Sequence, residues 1–212
     1  MYTLYWEFMA GSIVAQAMLE ELSADYHLHH VDMEAGKHTT SEYLSRVPSG
    51  RVPAIELPDG TTIGETAAIV TVLGEHFPTS DLVPPGSDPD RATFLFWLNV
   101  MATSGYLTVA RHGHPERYAS STEAIDQVRS KAGEDLENFF DLMEQAISGD
   151  PYFLRRGFCA LDIYLTMLTE WSENKDRLYA TRPALRALTA LVSQRPAYLK
   201  ALHTHHLPQE AA

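Results

Sequence analysis

Apolar and polar positions follow two regimes along this chain: short compact or alternating runs up to about residue 78, and long helical periods after about residue 90. Thr3-Leu4-Tyr5-Trp6 is a short β-like segment, and Ile13, Val14, Ala17, Met18 and Leu22 then recur at helical spacing behind Gly11-Ser12. His27 to Val31 alternates weakly and predicts a second strand, and Thr40 to Arg46 a short helix. Ala54 to Leu57 is compact and apolar, Pro58-Asp59-Gly60 is a hairpin signal, and Thr61 to Ile63 is the return strand. Glu65-Thr66 opens a helix whose apolar positions run from Ala67 through Ile69, Val70, Val72 and Leu73 to Phe77. The predicted order is β-α-β-α-β-β-α. Residues 79 to 90 carry four helix breakers and read as a linker. Beyond it only helical periods remain, over residues 91 to about 111, 122 to 147, 160 to 171 and 183 to 192, with a last short helix from Arg195-Pro196. The pattern predicts an α/β domain over 1–78, a linker over 79–90 and an all-helical domain over 91–212.

Composition narrows the function classes without naming one. The 212 residues are 45% hydrophobic with a formal charge of −12, enough to bury a core and opposed to a phosphate backbone, so nucleic acid is not an expected partner. The N-terminal stretch lacks the basic and apolar regions of a signal peptide and no apolar run reads as a membrane span, which makes the cytoplasm the expected location. Cys159 is the sole cysteine, which excludes an intrachain disulfide, a Cys-x-x-Cys pair and a thiolate zinc site. His29-His30, His112-Gly113-His114 and His203-Thr204-His205-His206 lack convergent ligand spacing, so no metal is expected. Glu134, Asp135 and Glu137 read as the wet face of an amphipathic helix.

One stretch carries chemistry. Proline at 53 removes a ladder donor and restricts Val52, leaving the valine amide and carbonyl for another partner. A free strand edge beside the amides that open the helix at Glu65-Thr66 suits a peptide-like ligand bearing a carboxylate. Val52-Pro53-Ala54 followed by Glu65-Thr66-Ala67-Ala68-Ile69 resembles the glutathione-binding signature of the glutathione S-transferase superfamily. The resemblance implies a thioredoxin-like first domain with a cis Val52–Pro53 bond, Val52 pairing with the cysteinyl part of glutathione, and Glu65 and Thr66 holding the γ-glutamyl end. It also makes Lys37, and with it Arg51, candidate cations for the glycyl carboxylate.

The second half extends the likeness. Gly157 to Leu165 resembles the family's helix-capping motif, with Asp162 present but Cys159 where a hydroxyl belongs, and sulfur is a weak acceptor. Trp97 to Thr103 looks like the first long helix of bacterial beta-class members, which implies that Asn99 and Thr103 reach glutathione, polar residues there acting across a homodimer. Tyr106 stands where those proteins carry histidine. Aligned with the beta class, Gly11 replaces the cysteine and Ser12 keeps the adjoining serine, so Ser12 is the expected thiol contact, with Tyr5 or Tyr106 as substitutes. The implied function is glutathione transfer to small hydrophobic electrophiles, for detoxification or catabolism, with the helical domain forming the second-substrate site. An isomerase, peroxidase or dehalogenase using glutathione, or a non-catalytic adaptor of the same fold, is the alternative.

Overall fold

The computed structural model describes residues 1–206. It divides into two compact units, Met1–Asp88 together with the stretch from Ser193 onward, and Pro89–Val192.

The first unit is built on a four-stranded mixed sheet. Strand β1 (Tyr2–Trp6) runs parallel to β2 (Tyr26–His30), with Tyr5 opposite His29, and antiparallel to β3 (Ala54–Glu56), with Tyr5 opposite Ala54. Strand β4 (Thr62–Gly64) closes the order β2-β1-β3-β4 as an antiparallel neighbour of β3. The turn between them is fixed by Asp59, whose Oδ1 accepts the Thr61 amide at 2.9 Å, and by Gly60 at φ +88°. Because side chains alternate across a strand, Tyr2 and Leu4 face one side and Tyr5 the other. On the first side lie α1 (Ser12–Glu21) and α3 (Thr66–His76), with the Tyr2 hydroxyl 2.9 Å from His76 Nδ1. On the other, α2 (Ser41–Arg46) closes a cluster of Tyr5, Val31, Tyr43, Val47 and Ala54.

The stretch expected to be a linker is partly core. Leu82 and Val83 are buried, and a Cβ placed on Gly74 would lie 2.3 Å from the Val83 Cβ, so α3 needs glycine there to let Val83 dock. Helix breakers mark where regular structure stops, and they are silent on what packs.

The second unit is helical: α4 (Arg91–Val100), α5 (Tyr106–Gly113), α6 (Thr122–Ala146), α7 (Ala160–Glu170), α8 (Lys175–Ala180) and α9 (Pro183–Val192). Between α4 and α5 a π-helical turn over Met101–Gly105 keeps the helix continuous. Gly105 stands where a Cβ would come within 2.5 Å of the Phe139 ring, so α6 crosses at contact distance. Among the described residues, Arg91–Gly113 is long and apolar enough to cross a membrane by length and composition, against the expectation of no such run. Asn99, Thr103, Ser104 and Gly105 interrupt its apolar letters without adding a charge. Helix α8 escaped the sequence reading because six residues are too few to show a period; Asn174 caps it, its Oδ1 accepting the Arg177 amide at 2.8 Å. At the start of α7, Asp162 does the work the capping motif assigns to it. Its two oxygens accept the amides of Phe153 (2.7 Å) and Cys159 (2.8 Å), and burial pushes its carboxyl up to about 6 despite those bonds.

The last described helix, α10 (Pro196–His205), belongs to the first unit, whereas the sequence grouped it with the helical domain of 91–212; the final six residues of that range lie outside the described residues. The cause is α1, buried from Ser12 to Leu19 and therefore in need of cover on its outer side. Tyr198, Ala201 and His205 supply the apolar stripe, and Arg195 grips Glu21 through two bonds of 2.6 and 2.7 Å. Lys200 reaches Glu20 at 2.7 Å, and Gln16 reaches Thr204 at 3.1 Å.

Candidate functional site

The Val52–Pro53 bond is cis, as the resemblance implied. Proline is buried, Val52 half-buried, and the Tyr43 hydroxyl, donating to the Arg51 carbonyl at 2.8 Å, holds the loop from behind. Among the described residues neither the amide nor the carbonyl of Val52 makes a hydrogen bond. The expected free strand edge is absent, because β3 is an inner strand paired with β1 and β4; Val52 lies just before it at the end of the sheet, where its unpaired main-chain donor and acceptor can still serve an extended peptide.

The chain meets α3 through Glu65, an exposed non-glycine residue at φ +63° and ψ +115°. That region is costly for any side chain, so the conformation is imposed by what surrounds it. It hands the carbonyl of Glu65 to the Ile69 amide at 3.0 Å and leaves the helix start without a side-chain cap. Thr66 follows, buried, as the first residue of α3. A cleft of about 220 Å3 runs beside this junction, bounded by Ser49, Thr62, Gly64 and Glu65. Lys37 and Arg51 are both exposed, and among the described residues neither forms an ion pair.

The hydroxyls expected to serve a thiol sit differently. Ser12 is the first residue of α1 rather than its cap, is fully buried, and lies with its Oγ 3.4 Å from the Glu7 carbonyl and 3.5 Å from His205 Nδ1. Tyr5 is buried within the α2 cluster and donates to Glu56 at 3.2 Å; burial, reinforced by Glu56, raises its pKa above the usual phenol value. Tyr106 is half-buried in the second unit with its ring edge-on to Trp171 at 5.5 Å. Asn99 and Thr103 are exposed and bond back into their own helix, to the carbonyls of Leu95 and Asn99 at 2.8 Å each. Val52, Pro53, Glu65 and Thr66 thus lie at one end of the sheet, while Ser12 and Tyr5 have their hydroxyls committed elsewhere.

Comparison with known proteins points the same way as the site. The sequence model of the glutathione S-transferase N-terminal domain matches residues 12–76. Glutathione S-transferase GstA of Escherichia coli O157:H7 is 27% identical over 173 residues, spanning 80% of this chain and 81% of that protein. The crystal structure of a glutathione transferase homologue from Sulfitobacter with bound glutathione superposes with a TM-score of 0.86 at 25% identity, covering 98% of this chain and 99% of the other. A sphingomonad glutathione S-transferase complexed with glutathione gives 0.82 at 28% identity, covering 97% and 100%. Residues 12–76 match the glutathione S-transferase N-terminal domain, and nearly the whole chain is similar in sequence and fold to glutathione S-transferases.

Sequence reasoning passed over several groups around the first turn of α1. Glu7, at the end of β1, accepts the amides of Phe8 (2.7 Å) and Met33 (2.6 Å) and lies 2.9 Å from His30 Nε2. Burial alone would raise its carboxyl, but those donors outweigh it and the pKa is lowered. His205, which the sequence offered only as part of a histidine-rich tail, is fully buried. Its imidazole packs edge-on to Trp6 at 4.9 Å, its Nδ1 is 3.1 Å from the Glu7 carbonyl, and its own carbonyl accepts the Met9 amide at 3.0 Å. Burial pulls its pKa down to about 4. No spacing rule links residues 7 and 205, so only the fold reveals the pair.

Proposed function

We propose that this chain binds glutathione along Val52 and the start of α3 and adds its thiolate to small hydrophobic electrophiles. The observation that carries the reading is the unpaired Val52 amide and carbonyl beside the uncapped start of α3 at Glu65-Thr66. The cysteinyl residue of glutathione pairs with that main chain. The γ-glutamyl carboxylate takes the amides opening α3, where the helix dipole favours an anion, and the Glu65 carboxylate takes its ammonium. Lys37, with Arg51 beside it in the same role, neutralises the glycyl carboxylate.

An unperturbed thiol of pKa about 8.5 is only a few per cent ionised at neutral pH, so the site has to favour the thiolate. With the Ser12 and Tyr5 hydroxyls turned to Glu7 and Glu56, that work falls to the amides of the first turn of α1. Gly11, standing where the beta class has cysteine, leaves the turn without a side chain. Cys159 is fully buried at the cap of α7, which favours direct addition over a mixed disulfide with the enzyme.

The helical unit has a cavity of its own, about 300 Å3, whose lining joins the apolar side chains of Val109, Phe140, Leu168 and Trp171 to the polar ones of His112, Glu134, Glu137, Glu173 and Arg177; the apolar part is in keeping with a hydrophobic second substrate. Phe96 and Leu107, exposed on the continuous α4–α5 helix at 59% and 43%, suit a homodimer contact, which would bring Asn99 and Thr103 to a partner's glutathione. Retention on immobilised glutathione, followed by turnover of activated aryl halides and enones, tests the reading. A chain that neither binds the resin nor accelerates any of these additions refutes it.

A further inference from the structure

We propose that His205, delivered by the C-terminal helix, is a positioning residue for the thiol end of the glutathione site, an inference that rests on the reading above. Two contacts tie His205 to the β1–α1 connection: Nδ1 lies 3.1 Å from the Glu7 carbonyl and the His205 carbonyl accepts the Met9 amide at 3.0 Å. Met9, one of those anchors, is held at φ +42°, a conformation an unsupported methionine rarely adopts, and only Ala10 separates it from Gly11 and Ser12. The orientation of the α1 amides that face the thiolate is therefore set from residue 205.

The imidazole has one role open to it here. It is neutral through the physiological range, because burial disfavours its charged form, so one ring nitrogen carries the proton. A carbonyl oxygen only accepts, so the 3.1 Å contact with Glu7 places that proton on Nδ1, a closer donor to it than the Ser12 hydroxyl at 3.4 Å. Nε2 is left buried and without a partner among the described residues, an arrangement that costs stability and that an apolar side chain would avoid. Retaining histidine despite the orphaned nitrogen fits a requirement for the Nδ1 donor. The titratable groups around it are Glu7 and His30 at the end of the sheet and His206 beside it, with the Glu20–Lys200 pair further along α1 and α10.

Three substitutions separate positioning from bulk. In His205→Asn the side-chain amide nitrogen overlays Nδ1 and keeps the donor. His205→Gln moves the donor by one bond, and His205→Leu removes it while filling the space, so the comparison survives if one of the two misfolds. The readouts are the pH–rate profile for conjugation, the KM for glutathione and the melting temperature. The expected result is that Gln and Leu raise the apparent thiol pKa by about one unit, a tenfold loss of rate below it, with glutathione KM changed less than about threefold, and that Asn restores the wild-type profile. A folded Gln or Leu variant with an unshifted profile, or an Asn variant as impaired as Leu, overturns the role of His205 while leaving the glutathione site intact. A wild-type chain that binds no glutathione overturns the site itself, and the two failures are told apart by the wild-type measurement.

Discussion

The Tyr43 hydroxyl donates to the Arg51 carbonyl at 2.8 Å, so a residue of α2 fixes the loop that presents Val52. Burial pushes the Tyr43 phenol up to about 12, and it stays a donor throughout the working pH range. Tyr43→Phe removes the bond but keeps the ring in its cluster. The expected cost is about 1 kcal/mol of stability, the net worth of a neutral hydrogen bond, and a several-fold rise in glutathione KM with kcat nearly unchanged. Steady-state kinetics with glutathione varied checks this; a fall in kcat at constant KM would move Tyr43 from binding to chemistry.

Glu65 pits conformation against recognition. Its φ of +63° is open to glycine and strained for glutamate, so Glu65→Gly should relieve of the order of 1 kcal/mol of backbone strain, less what glycine gains in the unfolded chain. The same change deletes the carboxylate facing the γ-glutamyl ammonium and should weaken glutathione by tenfold or more. The expected outcome is a variant at least as stable by thermal melting and much poorer by calorimetric titration. A variant that melts lower and binds normally would show that the carboxylate serves the fold.

What could be read from the sequence was local. Val52-Pro53 and Glu65-Thr66 announce themselves because proline, hairpin turn and helix start are short-range signals, and the strand and helix order followed from periodicity. What stayed hidden was long-range. Ser12 looks like a reactive or capping serine until α10 arrives and His205 closes over it, a contact across 193 positions. Val83 reads as linker until Gly74 makes room for it, and Gly105 reads as an interruption until the Phe139 ring explains it. Partners that distant in the chain leave no pattern in either neighbourhood.

Ser12 tests that lesson. Its hydroxyl contacts are long, 3.4 and 3.5 Å, hence weak, and both point inward. Ser12→Ala should leave kcat within about threefold of wild type, under about 0.7 kcal/mol, with an unshifted pH–rate profile. An apparent thiol pKa raised by a full unit would instead mean that the hydroxyl turns outward and contacts the sulfur when glutathione binds.

The pH dependence of stability separates two buried groups of opposite sign. His205 is held near 4 against about 6.5 when unfolded, so the unfolded chain takes up the proton first as pH falls, and this contribution, present above 6.5, is lost on acidification towards 4. Asp162 is held near 6 against about 3.8 when unfolded, so the folded chain takes up the proton first and gains stability as pH falls from above 6 towards 4. Each shift is a little over two units, about 3 kcal/mol as an order of magnitude, and the two nearly cancel between pH 4.5 and 6.5. Glu7 and Glu20, whose carboxyls are lowered, contribute losses mainly below that window. Wild-type urea midpoints should therefore change little from pH 6.5 to 4.5. Substitution unmasks each slope: His205→Asn should become more stable on acidification through Asp162, and Asp162→Asn, weaker at every pH for want of an acceptor, should lose further stability through His205. Parallel midpoint profiles for the three proteins would show that neither group titrates where its burial places it.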